Sequence, residues 1–126
     1  MEIRSYQKAD YQSIYDLLEE AAWQSFIDTH QAAYKESLNA SLTYVAIEND
    51  KVIGFIRAIS DGLYLTFIGE IIVAKEYRRN KIGTRLIHFL KQKHPTIKYE
   101  LISDEDMFYH KNGFKTVGTG QRSLNE

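Results

Sequence analysis

Hydrophobic and polar positions follow two periods along the first half of the chain, and each change of period marks a predicted element. Residues 2–6 alternate and predict a short strand. Apolar residues then recur at helical spacing over 10–22 and again over about 28–38, with Asp10 as a candidate N-cap. Two further strands are predicted at 42–48 and 51–60. Asn-Asp between them is a hairpin turn signal.

The second half of the chain alternates between the same two periods. Gly69, inside an apolar run, predicts a bulge or a close approach of backbone. Asp104 is a candidate cap for a short helix that ends before Gly113. The predicted elements are a strand at 64–74, a helix at 82–93, a strand at 97–103, a short helix at 104–112 and a last short strand at 114–118.

The resulting element order is β-α-α-β-β-β-α-β-α-β, which predicts a single α/β (α+β) domain spanning residues 1–126. A chain of 126 residues suffices for one hydrophobic core. Net charge is −1, so a general nucleic-acid-binding surface is not expected. No cysteine is present, and the four histidines lack metal-ligand spacing. Without a leader or a long apolar run, we expect a cytoplasmic protein that binds neither metal nor membrane.

The joint between the strand at 64–74 and the helix at 82–93 is unusually basic. Four cations lie between Arg78 and Arg85, together with Gly83 and Thr84. The first N–H groups of a helix have no internal partner and lie at its positive end, so this joint could bind an anion. Cations there oppose the helix dipole, which favours a bound anion over an ordinary solvated loop.

Two motifs in this part of the chain carry a family resemblance. "VAKEYRRNKIGTRLI" resembles the coenzyme A loop of GNAT N-acetyltransferases, which reads V-x-x-x-[YF]-[RQ]-x-x-G-x-G/A. Lys81 stands where the family has its first glycine. "FYHKNGF" at 108–114 is similar to the family's "FYEKLGF". The positions in register with the first motif are Val73, Tyr77, Arg78, Ile82 and Gly83.

The resemblance implies a mixed sheet that splays open between its fourth and fifth strands, flanked by helices. The pantetheine arm of acetyl-CoA would pair with backbone in that opening, and the pyrophosphate would bind the N–H groups from Arg79 to Thr84. The acetyl group would pass directly from the thioester to a primary amine. The residues assigned in this way to coenzyme A are Ile71, Ile72, Val73, Arg78, Arg79, Asn80, Lys81, Ile82, Gly83 and Thr84.

The resemblance also suggests catalytic residues. Tyr109 aligns with the tyrosine that often protonates the departing thiolate in the family; core packing from a helix face is the alternative, and the motif match favours the catalytic role. Glu70, just before the coenzyme-binding backbone, is the candidate base, and a surface or sheet-edge carboxylate is the alternative. Trp23, Phe26 and Tyr34 fall where the family recognises its acceptor, and are equally explained as the core of a helical hairpin.

Two departures from the family pattern leave alternatives open. Lys81 either takes an ordinary backbone conformation or reshapes the loop, and its side chain could reach a phosphate. Only twelve residues follow Phe114, so the C-terminal end is expected to be shortened. An exposed sheet edge there would predict a homodimer. A non-catalytic acyl-CoA-binding or regulatory module on the same fold is the alternative function.

Overall fold

The computed structural model describes residues 1–124 as a five-stranded mixed sheet with helices on both faces, which confirms the predicted fold class. Short 3-10 turns at Lys8–Asp10 and Lys75–Tyr77 lead into the first and fourth helices. The strands and helices are β1 Glu2–Ser5, α1 Tyr11–Glu20, α2 Ser25–Asp28, α3 Gln31–Ala40, β2 Leu42–Glu48, β3 Lys51–Ser60, β4 Leu65–Val73, α4 Ile82–Lys93, β5 Lys98–Leu101 and α5 Asp106–Lys111.

The strands lie in the order β1-β2-β3-β4-β5, so spatial neighbours are also sequence neighbours. The first four are antiparallel, and β5 runs parallel to β4 because α4 carries the chain back across the sheet. Asn49 and Asp50 form the β2–β3 turn with φ of 52° and 63°. Two positive φ values suit a two-residue hairpin, and they confirm the predicted turn.

The pairing between β4 and β5 covers only part of β4. Residues 65–68 pair with Lys98–Leu101, whereas β4 continues to Val73. From Gly69 onward, β4 therefore has no strand partner on its β5 side within residues 1–124. This is the opening predicted between the fourth and fifth strands.

Each face of the sheet has its own hydrophobic cluster. Leu86 and Leu90 of α4 are fully buried on one face, and Ile14, Leu18 and Phe55 are fully buried on the other. Helical spacing in α1 and α4 brings these residues to one side of each helix. Fully burying a side chain of this size stabilises the fold by about 1.5–3 kcal/mol.

The second predicted helix is divided in the structure. Asp28, its expected start, ends α2, and α3 begins three residues later at Gln31. His30 has φ −140° and ψ 39°, outside the helical region, and its N–H donates to the Ile27 carbonyl at 2.8 Å. This turn redirects the chain, so that Ile27 and Leu38 both reach the same core cluster.

Two predictions near the C-terminus are wrong. Glu105, not Asp104, occupies the N-cap position of α5, and no side chain caps that end. Within the described residues, 114–118 form no strand. The Phe114 N–H instead donates to the Tyr109 carbonyl at 3.0 Å, and the ring of Phe114 packs against the core. Phe114 thus completes the end of α5.

Candidate active site

The loop between β4 and α4 adopts two left-handed backbone conformations. Arg79 has φ 69°, and Lys81 has φ 60° and ψ 23°. Glycine reaches this region freely, whereas a side chain makes it costly. Lys81 therefore takes the conformation that a glycine would allow, and the alternative of an ordinary backbone conformation is wrong.

A run of six backbone N–H groups follows from this loop shape. From Arg79 to Thr84, no N–H has a hydrogen-bond acceptor among residues 1–124. The next N–H, that of Arg85, is the first with a hydrogen-bond acceptor: it donates to the Lys81 carbonyl at 3.0 Å. Consecutive N–H groups at a helix start form an anion-binding concavity, so these residues fit a pyrophosphate.

The free part of the β4 edge leads directly to this loop. Residues 69–73 present backbone that has no strand partner on the β5 side in the described chain. Arg78 folds back, and its Nε donates to the Val73 carbonyl at 3.2 Å. An extended amide-containing arm could pair with this edge as an added strand would.

Gly83 has a packing role at the start of α4. A Cβ at Gly83 would lie 2.8 Å from Cζ of Phe108, closer than non-bonded carbons approach. The ring of Phe108 thus fills the space beside the Gly83 Cα. The need for glycine here is explained by the contact of α5 with α4, while the Gly83 N–H still belongs to the N–H run.

Tyr109 lies in α5 with 8% of its surface exposed, between the rings of Phe108 and Phe114. It borders a groove that also includes Phe67 of β4 and Leu101 of β5. No residue of the described chain hydrogen-bonds to its hydroxyl. Burial raises the Tyr109 pKa to about 12, with smaller contributions from nearby carboxylates. At neutral pH the hydroxyl is therefore protonated and can donate.

The "YHKNGF" stretch fixes Tyr109 through a specific helix ending. The Gly113 N–H donates to the His110 carbonyl, and the Phe114 N–H donates to the Tyr109 carbonyl. Gly113 has φ 87°, which completes a Schellman motif with its usual apolar contact, here between Phe114 and Tyr109. The second motif therefore encodes the end of α5 and the packing of the Tyr109 ring.

Glu70 is held by a network instead of lying free on the surface. Arg57 of β3 donates from Nη2 to Oε2 at 2.5 Å and from Nε to Oε1 at 2.8 Å. The Tyr34 hydroxyl of α3 donates to Oε1 at 2.7 Å. Burial and then the Glu70 charge raise the pKa of Tyr34, while the hydrogen bond to Glu70 raises that of Arg57. Both side chains therefore keep their protons.

Arg57 was not among the sequence-derived candidates, although a signal for it existed. It interrupts the apolar run of β3, and a charge in a buried strand normally has a partner. The predicted irregularity at Gly69 is a bulge, because Arg57 pairs with Glu70 while Ala58 pairs with Ile68. A Cβ at Gly69 would lie 2.8 Å from Arg57 Nη2, so the expected close approach also occurs there.

The remaining candidates for acceptor recognition, Trp23 and Phe26, differ in burial. Trp23 is half-buried against the core, while the side chain of Phe26 is 68% exposed. Residues 1–124 contain no group of three or more His, Asp or Glu side chains arranged to hold a metal ion. No helix in the same range has the length and apolar character needed to cross a membrane.

A family model described as an acetyltransferase (GNAT) domain matches residues 39–116, well over half of the chain. The chain belongs to the GNAT acetyltransferase family. Acetyl transfer is the activity of that family, with acetyl-CoA as the cosubstrate. The matched range contains the N–H run, Glu70 and Tyr109 of this GNAT protein.

Solved structures agree on the fold. A GNAT-family acetyltransferase from Streptococcus pneumoniae superposes with a TM-score of 0.81 at 24% identity, covering 98% of this chain and 96% of that one. The PaiA N-acetyltransferase from Thermoplasma acidophilum, in complex with coenzyme A, superposes with a TM-score of 0.79 at 20% identity, covering 94% of this chain and 92% of that one. An aminoglycoside 6'-acetyltransferase type Ii superposes with a TM-score of 0.77 at 26% identity, covering 94% of this chain and 85% of that one. No curated protein matches the chain.

Proposed function

We propose that this GNAT protein transfers the acetyl group of acetyl-CoA directly to a primary amine. The observation that carries the proposal is the run of six N–H groups from Arg79 to Thr84 without acceptors in the described chain. These groups would bind the pyrophosphate, with the exposed side chains of Arg78, Arg79 and Lys81 adding positive charge. Backbone donors at a helix start provide this stabilisation without reorganisation.

The free edge of β4 gives the pantetheine arm a path. From Val73 the arm would run back toward Gly69, pairing with backbone of Ile71, Ile72 and Val73. Four residues of strand span about 13 Å, which leads from the phosphate loop to the point where β4 and β5 separate. Glu70 lies beside that point on the edge of β4. The thioester would therefore end next to Glu70.

In the proposed reaction, Glu70 takes one proton from the acceptor ammonium. An amine of ordinary pKa near 10.4 is almost fully protonated at pH 7, so attack requires this step. The amine nitrogen then bonds to the acetyl carbon, and the carbon–sulfur bond breaks with its electron pair remaining on sulfur. Tyr109 donates its hydroxyl proton to the thiolate, and the second amine proton, carried through solvent, restores the Tyr109 hydroxyl. Glu70 releases the first proton to solvent, so one proton is produced per turnover.

A second function is favoured by one specific observation. Both Glu70 oxygens already accept hydrogen bonds from protein groups. The bonds from Arg57 and Tyr34 are those expected of a carboxylate with a structural role. A non-catalytic acyl-CoA-binding module could tolerate such an arrangement. Catalysis requires in addition that an acceptor can still reach Glu70.

One experiment separates the two functions. We expect calorimetry to show acetyl-CoA binding, and S-acetylpantetheine, which lacks the pyrophosphate, to bind far more weakly. Free thiol should then be released in the presence of at least one member of an amine panel containing spermidine, kanamycin, the common L-amino acids and a short peptide. Binding without thiol release across that panel would favour the non-catalytic module. Equal affinity for the two acyl donors would exclude the loop as a pyrophosphate site.

A further inference from the structure

The Arg57–Glu70 pair has both N–H donors and an acceptor oxygen position that are not used within the described chain. Oε1 of Glu70 accepts two hydrogen bonds, whereas Oε2 accepts one, from Arg57 Nη2. A guanidinium has five N–H groups. Arg57 uses three, two toward Glu70 and one from Nη1 to Ser41 Oγ at 3.2 Å. One acceptor position on Oε2 and one N–H on each Nη are thus without a partner in the described chain.

The pair is positioned to meet an acceptor. Its side chains are 16% and 11% exposed, so neither member of the pair is completely enclosed. The guanidinium lies close to the β4 backbone at Gly69, where a built Cβ would be 2.8 Å from Nη2. Tyr34 covers the pair from α3, with the Arg57 guanidinium 5.7 Å from the centre of its ring. These contacts hold the positive and negative groups side by side in one orientation.

Charge balance limits what such a pair can bind. A simple cation drawn to Glu70 competes with Arg57 and leaves a half-buried guanidinium less well compensated. An anion drawn to Arg57 competes with Glu70 and leaves that carboxylate less well compensated. Leaving one member of a buried pair without its counter-charge is strongly unfavourable. A ligand that carries both charges compensates both members at once.

From this arrangement we infer that the acceptor is a zwitterionic amine, with an ammonium and a carboxylate a few bonds apart, as in an α-amino acid. The carboxylate receives the two unused N–H groups of Arg57, and the ammonium donates to Oε2 of Glu70, which then takes its proton. This assignment rests on the proposed function, because it names the acceptor class for that site. Arg57 is thereby the residue that selects the acceptor.

The test compares matched acceptors on the intact protein. Each common L-amino acid is assayed against its own amide, with kanamycin and spermidine as amines that carry no carboxylate. The amide keeps the shape of the acid and loses only its negative charge. Because the amine of the amide is more easily deprotonated, the amide should be the more reactive acceptor in solution. A preference for the acid would therefore have to come from the protein. We expect kcat/KM to favour the acid of at least one pair by about 10- to 100-fold, the worth of a charged hydrogen bond.

Arg57→Gln should remove this preference, so that the ratio of kcat/KM for the acid to that for its amide falls to about one, while both values fall because Glu70 loses its ion-pair partner. Arg57→Lys keeps the charge without the planar fork and should restore part of the preference. Lys51→Gln, at the exposed start of the same strand, is the matched control and should leave the preference intact. Thermal melting of each variant checks folding, and the wild-type comparison of acid with amide needs no variant.

The outcomes distinguish this inference from the proposed function. Equal rates for acid and amide, turnover of spermidine or kanamycin alone, or a preference that survives Arg57→Gln would overturn the zwitterion assignment and leave acetyl transfer to amines standing. Release of thiol with no amine at all would defeat the proposed function itself.

Discussion

The ring of Phe108 occupies the space that a side chain at Gly83 would need: a Cβ built on Gly83 would lie 2.8 Å from Cζ of Phe108. This contact joins α5 to the first turn of α4. It couples the two sequence motifs physically, because the glycine of the first accommodates an aromatic residue of the second. The contact therefore links the element that carries Tyr109 to the start of α4.

The Gly83–Phe108 contact predicts a non-additive pair of mutations. Gly83→Val should lower the free energy of unfolding by about 1–3 kcal/mol through overpacking. In a Phe108→Ala background the ring is gone, and the same substitution should cost much less. Urea denaturation of the wild type, both single variants and the double variant measures the coupling. An equal cost of Gly83→Val in the two backgrounds would refute the packing role.

Lys81 provides a test of whether backbone or side chain binds the pyrophosphate. Lys81→Gly and Lys81→Val both remove the charge, but only glycine takes the left-handed conformation without strain. If the N–H run binds the pyrophosphate, Lys81→Gly should keep acetyl-CoA affinity within about threefold. Lys81→Val should lose about tenfold or more, since one unmade charged hydrogen bond is worth about 1.5–3 kcal/mol.

Calorimetry with acetyl-CoA compares the two Lys81 variants directly. A similar loss of affinity in both would assign the binding energy to the Lys81 charge. That result would contradict the role given to the backbone conformation.

Tyr109→Phe removes one hydroxyl and keeps the ring between Phe108 and Phe114. Since that hydroxyl has no partner in the described chain, thermal stability and acetyl-CoA affinity should change little. Turnover should fall by roughly 10²–10⁴, the usual contribution of a positioned acid. Unchanged turnover would leave Tyr109 as a core residue. A large loss of stability would show a structural role for the hydroxyl.

Asp10 predicts how stability depends on pH. Its carboxylate accepts from Arg4 at 2.8 and 3.0 Å and from the Gln7 N–H at 2.8 Å, and the Arg4 hydrogen bonds lower its pKa. A carboxyl with a lowered folded-state pKa stabilises the fold above its unfolded-state pKa, and this contribution is lost as the pH falls through the folded value.

Asp10→Asn should therefore cost about 1.5–3 kcal/mol at pH 7, with the difference from wild type shrinking as the pH falls below about 4. Urea denaturation at pH 7, 5 and 3 measures this difference. A difference that stays constant with pH would show that Arg4 does not stabilise the ionised carboxylate.

The outer edge of β5 predicts a homodimer. Within residues 1–124, β5 pairs with β4 alone, and the 114–124 segment adds no strand to the sheet. Free strand edges tend to become covered or paired. We expect sedimentation to show a dimer at high concentration, and the charge reversal Glu100→Lys or the new charge of Leu101→Lys to weaken it. A clean monomer over the whole concentration range would contradict this prediction.

Much of the architecture was predictable because it depends on local rules. Helical spacing predicted α1 and α4, alternation predicted β1, apolar β runs predicted β2, β3 and β4, and Asn49-Asp50 predicted the β2–β3 hairpin. The boundaries of α4 match the prediction at both ends, since the apolar spacing begins at Ile82 and Pro95 lies just beyond its end. The two motifs likewise pointed to the GNAT family, because their spacing reflects local strand–loop–helix and helix–end geometry.

Only the tertiary structure decided which side chains meet at the candidate site. Tyr34, Arg57 and Glu70 belong to three different elements, and no local pattern predicts that a hydroxyl from α3 and a guanidinium from β3 will converge on one carboxylate of β4. The bulge at Gly69 sets that register, because one extra residue changes which side chains face each other. The sequence by itself therefore determined most of the elements and the basic joint before α4. The chemistry available to Glu70 was decided by packing between residues distant in the chain.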